Sequence, residues 1–194
     1  MNAPMNAAMN PDDGNAVDRN AVDRVVYLMR GLPSCGKSHM ARRLAGSTGV
    51  VLETDQYFYT QVGTDPSKFD YSDELLPAAR QWNFARFRAA LERDITPVVV
   101  DRGNGRNEES RKYAQLAVDF GYRLALREPD SEWWQEIRVL LKYKQHTRPV
   151  LQEWAKKLAK LSRATHRVPE STILRWMEGW KHDLTVDDIL SFKE

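Results

Sequence analysis

The sequence contains a single cysteine, Cys35, among its 194 residues. A disulfide framework is therefore excluded, and we expect a reducing compartment, with the cytoplasm as the natural location. No apolar stretch is long enough to cross a membrane as a helix. The first residues also lack the basic segment followed by an apolar one that marks a signal peptide. These absences predict a cytoplasmic protein with no membrane partner, and the length suits one ordinary domain with a real core.

The net charge is only +2, but the charges are unevenly distributed. Residues 138–181 contain eleven basic and three acidic residues, a net charge of +8, which leaves −6 for the remainder of the chain. The basic residues of this stretch are Arg138, Lys142, Lys144, Arg148, Lys156, Lys157, Lys160, Arg163, Arg167, Arg175 and Lys181. Such an asymmetry suits a polyanionic ligand, and a solvated helical surface explains it equally well.

The first 24 residues differ in composition from the rest. They are rich in Asn, Ala, Asp and Met, and the pentapeptide at 15–19 is repeated at 20–24. Two copies are too few for a repeat architecture, and this segment has little to bury. We therefore expect residues 1–24 to form a flexible tail and residues 25–194 to form one domain.

Residues 31–38 match the pattern G-x-x-x-x-G-K-[ST] of a phosphate-binding loop. A β-branched, apolar run at 25–30 precedes the loop and predicts a buried strand, and a good helix-forming segment at 39–45 follows it and ends at Gly46. A helix that starts at the loop adds its dipole to the anion site. The pattern predicts binding of ATP and Mg²⁺ by the following residues: Gly31, Pro33, Ser34, Cys35, Gly36, Lys37, Ser38 and His39.

The remaining hydrophobic patterns alternate between strands and helices. Strands are predicted at 49–54, 97–100 and 122–126, and helices at 75–94, 108–120, 131–144, 149–161, 169–180 and 186–190. Residues 56–72 are predicted to form a long loop, and no fifth strand is evident. The aromatic residues at 82, 84 and 87 are expected in the core rather than as a stacking platform for bases, and Trp133 and Trp134 are expected to pack against the sheet. This alternation indicates an α/β fold with a mainly parallel sheet.

Two aspartates follow the predicted second and third strands. Asp55 and Asp101 should lie at the carboxyl edge of the sheet, where an open parallel sheet binds its ligand. A single Asp after a strand is often only a cap, but two beside a phosphate-binding loop favour a site. Ser38 is a candidate Mg²⁺ ligand. One of the two aspartates, Asp55 or Asp101, could hold Mg²⁺ through its waters, and the other could accept a proton from a substrate hydroxyl as the base.

Three further residues are candidates at this site. Arg163 and Arg167 are four residues apart, a helical spacing that would bring both guanidinium groups to one side, where they could contact phosphates. The alternative is a pair of exposed arginines without a role. Cys35 lies near a helix N-terminus and beside Lys37, an environment that lowers a thiol pKa, so we expect a reactive cysteine.

Four segments together resemble the P-loop polynucleotide 5′-hydroxyl kinase family: 31–38, 53–58, 98–104 and 163–169. The resemblance extends from residue 25 to residue 180, with 140–161 resembling an insertion. It implies a three-layer, kinase-like P-loop NTPase with a helical C-terminal lid region at about 138–180. It also implies that Asp55 is the general base, that Asp101 lies by the acceptor and the metal, and that Arg163 and Arg167 belong to the lid and contact ATP.

The chain departs from that family at two places. Ser34 and Cys35 stand where the family loop usually has Gly and Ser, and a serine adopts positive φ only at some cost. Phe58 stands where a member of that family has an arginine on the acceptor side. Kinase chemistry therefore transfers from the family better than the identity of the acceptor does. We expect an ATP-dependent kinase, and the favoured acceptor is the 5′-hydroxyl of a polynucleotide, such as a single-stranded end.

Two other functions remain open from the residues: a kinase of a small hydroxylated metabolite, and a non-catalytic NTP-binding switch. The choice between DNA and RNA, and the oligomeric state, are not indicated by any motif.

Overall fold

The computed structural model describes residues 23–60, 71–163 and 167–193. The predicted tail therefore lies almost entirely outside the described residues, as does most of the predicted loop at 56–72. Within the described chain, four parallel strands form one sheet in the order β2-β3-β1-β4. The strands are β1 (Val25–Met29), β2 (Val50–Leu52), β3 (Val98–Val100) and β4 (Arg123–Arg127).

The helices occupy the segments between and after these strands. They are α1 (Lys37–Ala45), α2 (Gln56–Thr60), α3 (Leu76–Glu92), α4 (Glu108–Asp119), α5 (Glu132–Lys142), α6 (Lys144–Ser162), α7 (Glu170–Glu178) and α8 (Val186–Leu190). A short 3₁₀ turn at Asp73–Leu75 leads into α3.

Both faces of the sheet are covered, which explains the continuous apolar strands. All three valines of β3 are fully buried. Residues of α3, α4 and α8 form a core with the strands, while Ala41 and Ala45 of α1 pack in a separate cluster with Met29 and Val99. The predicted three-layer α/β fold with a parallel sheet is confirmed.

The C-terminal helices have a core of their own. Residues of α5, α6 and α7 pack together with Leu32 and Cys35 of the phosphate-binding loop. The expected packing of Trp133 and Trp134 against the sheet is wrong. Trp134 is fully buried in this helical core, while Trp133 is 41% exposed. The apolar face of α5 is turned towards α6 and the loop, and periodicity alone could not identify that partner.

Helix α6 begins earlier than its sequence predicts. Pro149, expected at the start of the helix, lies inside it. The preceding turn forms because the amides of His146 and Thr147 donate to the Tyr143 carbonyl over 2.8 and 3.2 Å. These contacts, together with packing on α7, outweigh the single hydrogen bond that the proline removes.

Helix α2 was not predicted, because its residues were assigned to a loop. Phe58 is fully buried, and its ring lies 5.0 Å from the ring of Tyr71. Tyr57 makes an edge contact with Trp82 at 5.6 Å. Five residues are too few to form a stable helix alone, so these tertiary contacts decide the local structure. The prediction for α3 is confirmed at Phe87, which is fully buried, whereas Trp82 is only partly buried.

Candidate functional site

The loop between β1 and α1 has the backbone of an anion-binding turn. Gly31, Ser34 and Gly36 adopt positive φ angles of 146°, 58° and 94°. A Cβ atom added at Gly31 would lie 2.6 Å from the Cys35 Sγ, so only glycine fits there. Ser34 adopts the strained angle that its position was expected to require. Helix α1 begins at Lys37, which directs its first amides towards the loop.

The Lys37 side chain folds back onto the backbone of this loop. Its Nζ donates a hydrogen bond of 2.8 Å to the carbonyl of Leu32. The ammonium group is therefore held beside the turn, from which it can reach a bound anion. Ser38 is partly buried next to it, Pro33 is buried and His39 is exposed.

The prediction of a reactive Cys35 is wrong. The side chain is fully buried, and desolvation raises the pKa of its thiol, an effect that outweighs the charge of Lys37. The sulfur fills the space beneath Gly31 and belongs to the core shared with α5–α7. The sequence indicated the neighbouring charge but not the direction in which the thiol points.

The start of α5 supports the loop from outside. The Ser131 hydroxyl donates to the Cys35 carbonyl over 3.0 Å, and the Trp133 indole N–H donates to the Ser34 carbonyl over 3.3 Å. These two side chains satisfy carbonyl groups of the turn, so that its amides remain the groups that face an anion. Neither contact with the loop was predicted from the sequence, because both residues are far from the loop in the chain.

The two predicted aspartates follow strands that end at the same edge of the sheet as the loop. Asp101 follows β3 directly, and its amide donates to the Leu52 carbonyl at the end of β2 over 3.0 Å. Its side chain is only 7% exposed, and neither carboxylate oxygen has a hydrogen-bond partner. Asp55 is partly buried after β2 and acts electrostatically on Glu53. A buried, unpartnered carboxylate beside a phosphate-binding loop indicates that a ligand normally completes its interactions.

Glu53 is a third carboxyl group at this edge, and it was not among the predicted site residues. Burial, followed by the charge of the nearby Asp101, raises the pKa of Glu53 to about 7. The Glu53 carboxyl group therefore keeps its proton to a higher pH than a glutamate in water does. A glutamate that ends an apolar strand was the signal that could have identified it.

Asn104 fixes the relative position of the β1 and β3 ends. Its side-chain amide donates to the carbonyls of Met29 and Val100 over 2.9 and 3.0 Å. The residue is almost completely buried, and its Oδ1 has no partner. The loop that follows β1 and the carboxylate that follows β3 are thus held at a constant separation.

These residues fit a nucleotide accompanied by Mg²⁺. Within the described ranges, no cluster of three or more His, Cys, Asp and Glu side chains could hold a metal alone. Mg²⁺ at phosphate-transfer sites usually needs only one or two protein ligands, because substrate phosphates and water supply the others. The Ser38 hydroxyl and the orphaned Asp101 carboxylate are donors of the required kind.

The structure does not bring Arg163 and Arg167 together on one helix face. Helix α6 ends at Ser162, and Arg167 adopts a φ angle of 50°, with its amide bonded to the Ser162 carbonyl over 2.7 Å. The expected helical spacing is therefore wrong, because the chain leaves the helix at Arg163. Both side chains are exposed, and residues 164–166 between them lie outside the described chain.

Part of the positive charge of residues 138–181 is neutralised within the protein. Four of its basic residues pair with carboxylates: Arg138 with Glu128, Arg148 with Glu178, Lys156 with Glu153, and Lys181 with Asp188. In the part of the chain that the structure describes, Lys160, Arg163, Arg167 and Arg175 form no ion pair. Only the cations without an internal partner are thus available to bind an anion, fewer than the net charge of this stretch suggests.

Comparison with known proteins agrees with this geometry. A family model described as an AAA domain matches residues 26–180, a range that includes the loop, both aspartates and α5–α7. The chain belongs to this AAA domain family. The AAA domain is a P-loop, kinase-like NTPase domain, and loops of this type generally bind a nucleotide with Mg²⁺.

Two human proteins contain regions similar to this AAA domain. NEDD4-binding protein 2 is 33% identical over 172 residues, which are 88% of this chain and 8% of that protein. YLP motif-containing protein 1 is 27% identical over 131 residues, which are 57% of this chain and 6% of that protein. The chain therefore spans only a small part of the relatives it matches. Among the described residues, no helix has the length and apolar character needed to cross a membrane.

Proposed function

We propose that this AAA domain is an ATP-dependent phosphotransferase that moves the γ-phosphate to a hydroxyl group, with the 5′-hydroxyl of a polynucleotide as the favoured acceptor. The observation that carries the proposal is the pair of unpartnered, buried Asp101 oxygens at the sheet edge shared with the phosphate-binding loop. Asp55 follows the neighbouring strand at the same edge. A domain that only binds nucleotide does not require an acceptor base there.

Each residue has a separate task in this mechanism. The loop amides and Lys37 would bind the outer phosphates, with Ser38 and Asp101 holding Mg²⁺ directly or through its waters. The bound Mg²⁺ would neutralise charge on the β- and γ-phosphates. Asp55 would accept the proton of the acceptor hydroxyl. The hydroxyl oxygen would then form a bond to the γ-phosphorus, while the bond from that phosphorus to ADP breaks and ADP leaves.

The choice of acceptor rests on charge and on the resemblance of the sequence to polynucleotide 5′-hydroxyl kinases. Three cations lie close together in the chain around the end of α6: Lys160, Arg163 and Arg167. None of them forms an ion pair with the described residues. We infer that Arg163 and Arg167 contribute positive charge to the phosphates and that the neighbouring lysines attract a nucleic-acid strand. A small hydroxylated metabolite is the second candidate acceptor, because the same scaffold accommodates many substrates.

The deciding experiment measures transfer of labelled γ-phosphate from ATP, with Mg²⁺, to 5′-hydroxyl DNA and RNA oligonucleotides and to small alcohols. Asp55→Asn should retain ATP binding but lose about 10²- to 10⁴-fold in turnover, because the amide cannot accept a proton. Lys37→Ala is the companion variant. It should weaken ATP binding at least tenfold in calorimetry, because it removes a charge-assisted contact worth about 1.5–3 kcal/mol.

The outcomes separate the candidate functions. Transfer to oligonucleotide ends supports the favoured acceptor, and transfer to small alcohols alone supports the metabolite kinase. Nucleotide binding without transfer to any acceptor would support a switch module. Full turnover by Asp55→Asn would show that the base lies elsewhere.

A further inference from the structure

Two side chains at the start of α5 hold two consecutive peptide groups of the phosphate-binding loop. The Trp133 indole N–H donates to the Ser34 carbonyl over 3.3 Å, and the Ser131 hydroxyl donates to the Cys35 carbonyl over 3.0 Å. In a planar trans peptide the N–H group points away from the carbonyl oxygen. The two bonds therefore fix the direction of the Cys35 and Gly36 amides, which belong to the same two peptide groups and point away from α5.

Ser131 uses its hydroxyl for the loop although it occupies the N-cap position of α5. A serine at this position usually accepts a hydrogen bond from an amide of the first helical turn. Among the described residues, no amide of that turn donates to the Ser131 side chain. The hydroxyl instead donates to the carbonyl of Cys35, 96 residues away in the chain. The side chain thus forgoes a contact within its own helix and stabilises the loop.

Ser34 is the loop residue whose backbone most needs such support. Its φ angle of 58° lies in the left-handed region, which a serine adopts at a cost and a glycine adopts freely. Rotation of the peptide group that follows Ser34 would relieve this strain and would also turn the Cys35 amide away from a bound phosphate. The hydrogen bond from Trp133 to the Ser34 carbonyl opposes that rotation.

We propose that Ser131 and Trp133 are positioning residues for nucleotide binding, which hold the Cys35 and Gly36 amides towards the phosphates and offset the cost of a serine at position 34. The proposal rests on the nucleotide binding of the proposed function and is independent of the acceptor. Both side chains act through carbonyl groups of the loop, so neither needs to contact the nucleotide. Because α5 is anchored in the C-terminal helical core, that core helps to determine how tightly the loop binds phosphates.

Calorimetry with Mg²⁺ and two ligands separates this role from a direct contact with the nucleoside. A non-hydrolysable ATP analogue presents phosphates and a base, whereas inorganic tripolyphosphate presents phosphates alone. Trp133→Phe keeps an aromatic ring but removes the N–H donor, and Ser131→Ala removes the hydroxyl. We expect each variant to bind both ligands about two- to tenfold more weakly, because each loses one hydrogen bond. Trp176→Phe removes the same donor from an indole on α7 that is 44% exposed, and it should bind both ligands as the wild type does.

Replacement of Ser34 tests the connection with backbone strain. Glycine adopts the left-handed conformation without cost, so the loop should then depend less on the indole N–H. In the Ser34→Gly background, the further change Trp133→Phe should weaken binding of both ligands less than twofold. Ser34→Ala is the matched background, since it retains the Cβ atom and the strain, and there Trp133→Phe should cause the full loss.

Three results would overturn the assignment. They are unchanged binding of both ligands by Trp133→Phe and Ser131→Ala, a loss confined to the ATP analogue, and a loss as large in the Ser34→Gly background as in the wild type. Thermal unfolding without ligand checks that the variants are folded at the temperature of the calorimetry.

Transfer of labelled phosphate from ATP, measured in parallel, separates the two proposals. Binding that depends on Ser131 and Trp133, without transfer to any acceptor, overturns the proposed kinase function alone. Transfer by both variants with the wild-type KM for ATP overturns the positioning role alone.

Discussion

The Glu53 carboxyl group is largely buried and lies close to the charge of Asp101. Each would be ionised near neutral pH if it stood alone in water. Burial of Glu53 beside Asp101 makes a second negative charge costly and raises the pKa of Glu53 to about 7. Between pH 4.5 and about 7, Glu53 of the folded protein therefore holds a proton that the same residue has released in the unfolded chain.

This proton gives the stability of the nucleotide-free protein a defined pH dependence. Because the folded pKa of Glu53 lies above its ordinary value of 4.5, the stabilisation is complete below pH 4.5 and is lost as pH rises to about 7. Glu53→Gln keeps a neutral side chain at every pH. We expect the variant to melt about 2–4 °C higher than the wild type at pH 8, which corresponds to about 1 kcal/mol after solvent screening.

The measurement is thermal unfolding at pH 5 and pH 8 without Mg²⁺. The difference between variant and wild type should be larger at pH 8, since only there has the wild-type carboxyl lost its proton. A variant that gains stability equally at both pH values would show that packing, and not ionisation, distinguishes the two side chains.

Two cationic side chains bind the backbone carbonyl groups at the C-terminal end of helix α7, and one of them comes from the residue that precedes the phosphate-binding loop. The Lys144 ammonium donates to the carbonyls of Glu178 and Trp180 over 2.6 and 2.8 Å. Arg30, which precedes the loop, donates to the Lys181 carbonyl over 2.7 Å and stacks on the Trp180 ring at 4.4 Å. The end of β1 and the end of α7 are thereby held together.

Removal of Arg30 should destabilise this connection strongly. Arg30 is almost fully buried, and it pairs with Glu128 over 3.0 Å. Arg30→Ala leaves a cavity and removes that pair, although Arg138 still neutralises Glu128. We expect a loss of about 2–4 kcal/mol in urea unfolding, because an interrupted buried ion pair leaves polar groups unsatisfied.

Arg148→Ala is the control for this prediction. It breaks the pair with Glu178, in which both side chains are well exposed. Such pairs contribute little, and the expected loss is below about 1 kcal/mol. Comparable losses for Arg30→Ala and Arg148→Ala would contradict the proposed connection between β1 and α7.

At the scale of the whole molecule, the last two residues of the predicted tail contact the rest of the chain. Asp23 and Arg24 form exposed ion pairs with Arg123 and Asp94, and the Arg24 carbonyl accepts a 2.8 Å hydrogen bond from the Arg123 amide. Residues before them are rich in Asn, Ala, Asp and Met, and their composition predicts little contribution to the core.

Deletion of residues 1–20 should therefore leave the melting temperature within about 2 °C of the wild type. Deletion of residues 1–24 is the control, since it also removes the backbone contact with β4 and should lower the melting temperature further. A large decrease after the shorter deletion would show that residues 1–20 contribute to the folded domain.

Local patterns in the sequence were enough to predict the sheet and the phosphate-binding loop. Strand β3 is a run of valines buried on both sides, and the glycines and lysine of residues 31–38 have few alternative uses. Asp55 and Asp101 could be assigned to one edge because parallel strands all end on the same side of a sheet. These features depend on residues that are adjacent in the chain or on topology alone.

Tertiary contacts decided the features that the sequence did not reveal. Cys35 has a charged neighbour in the chain but points into a core built by α5–α7, and burial determines its pKa. Glu53 and Asn104 acquire their significance from partners on other strands. The local sequence determines whether a segment tends to form a helix or a strand. Desolvation and unsatisfied hydrogen bonds arise only once distant elements have packed together.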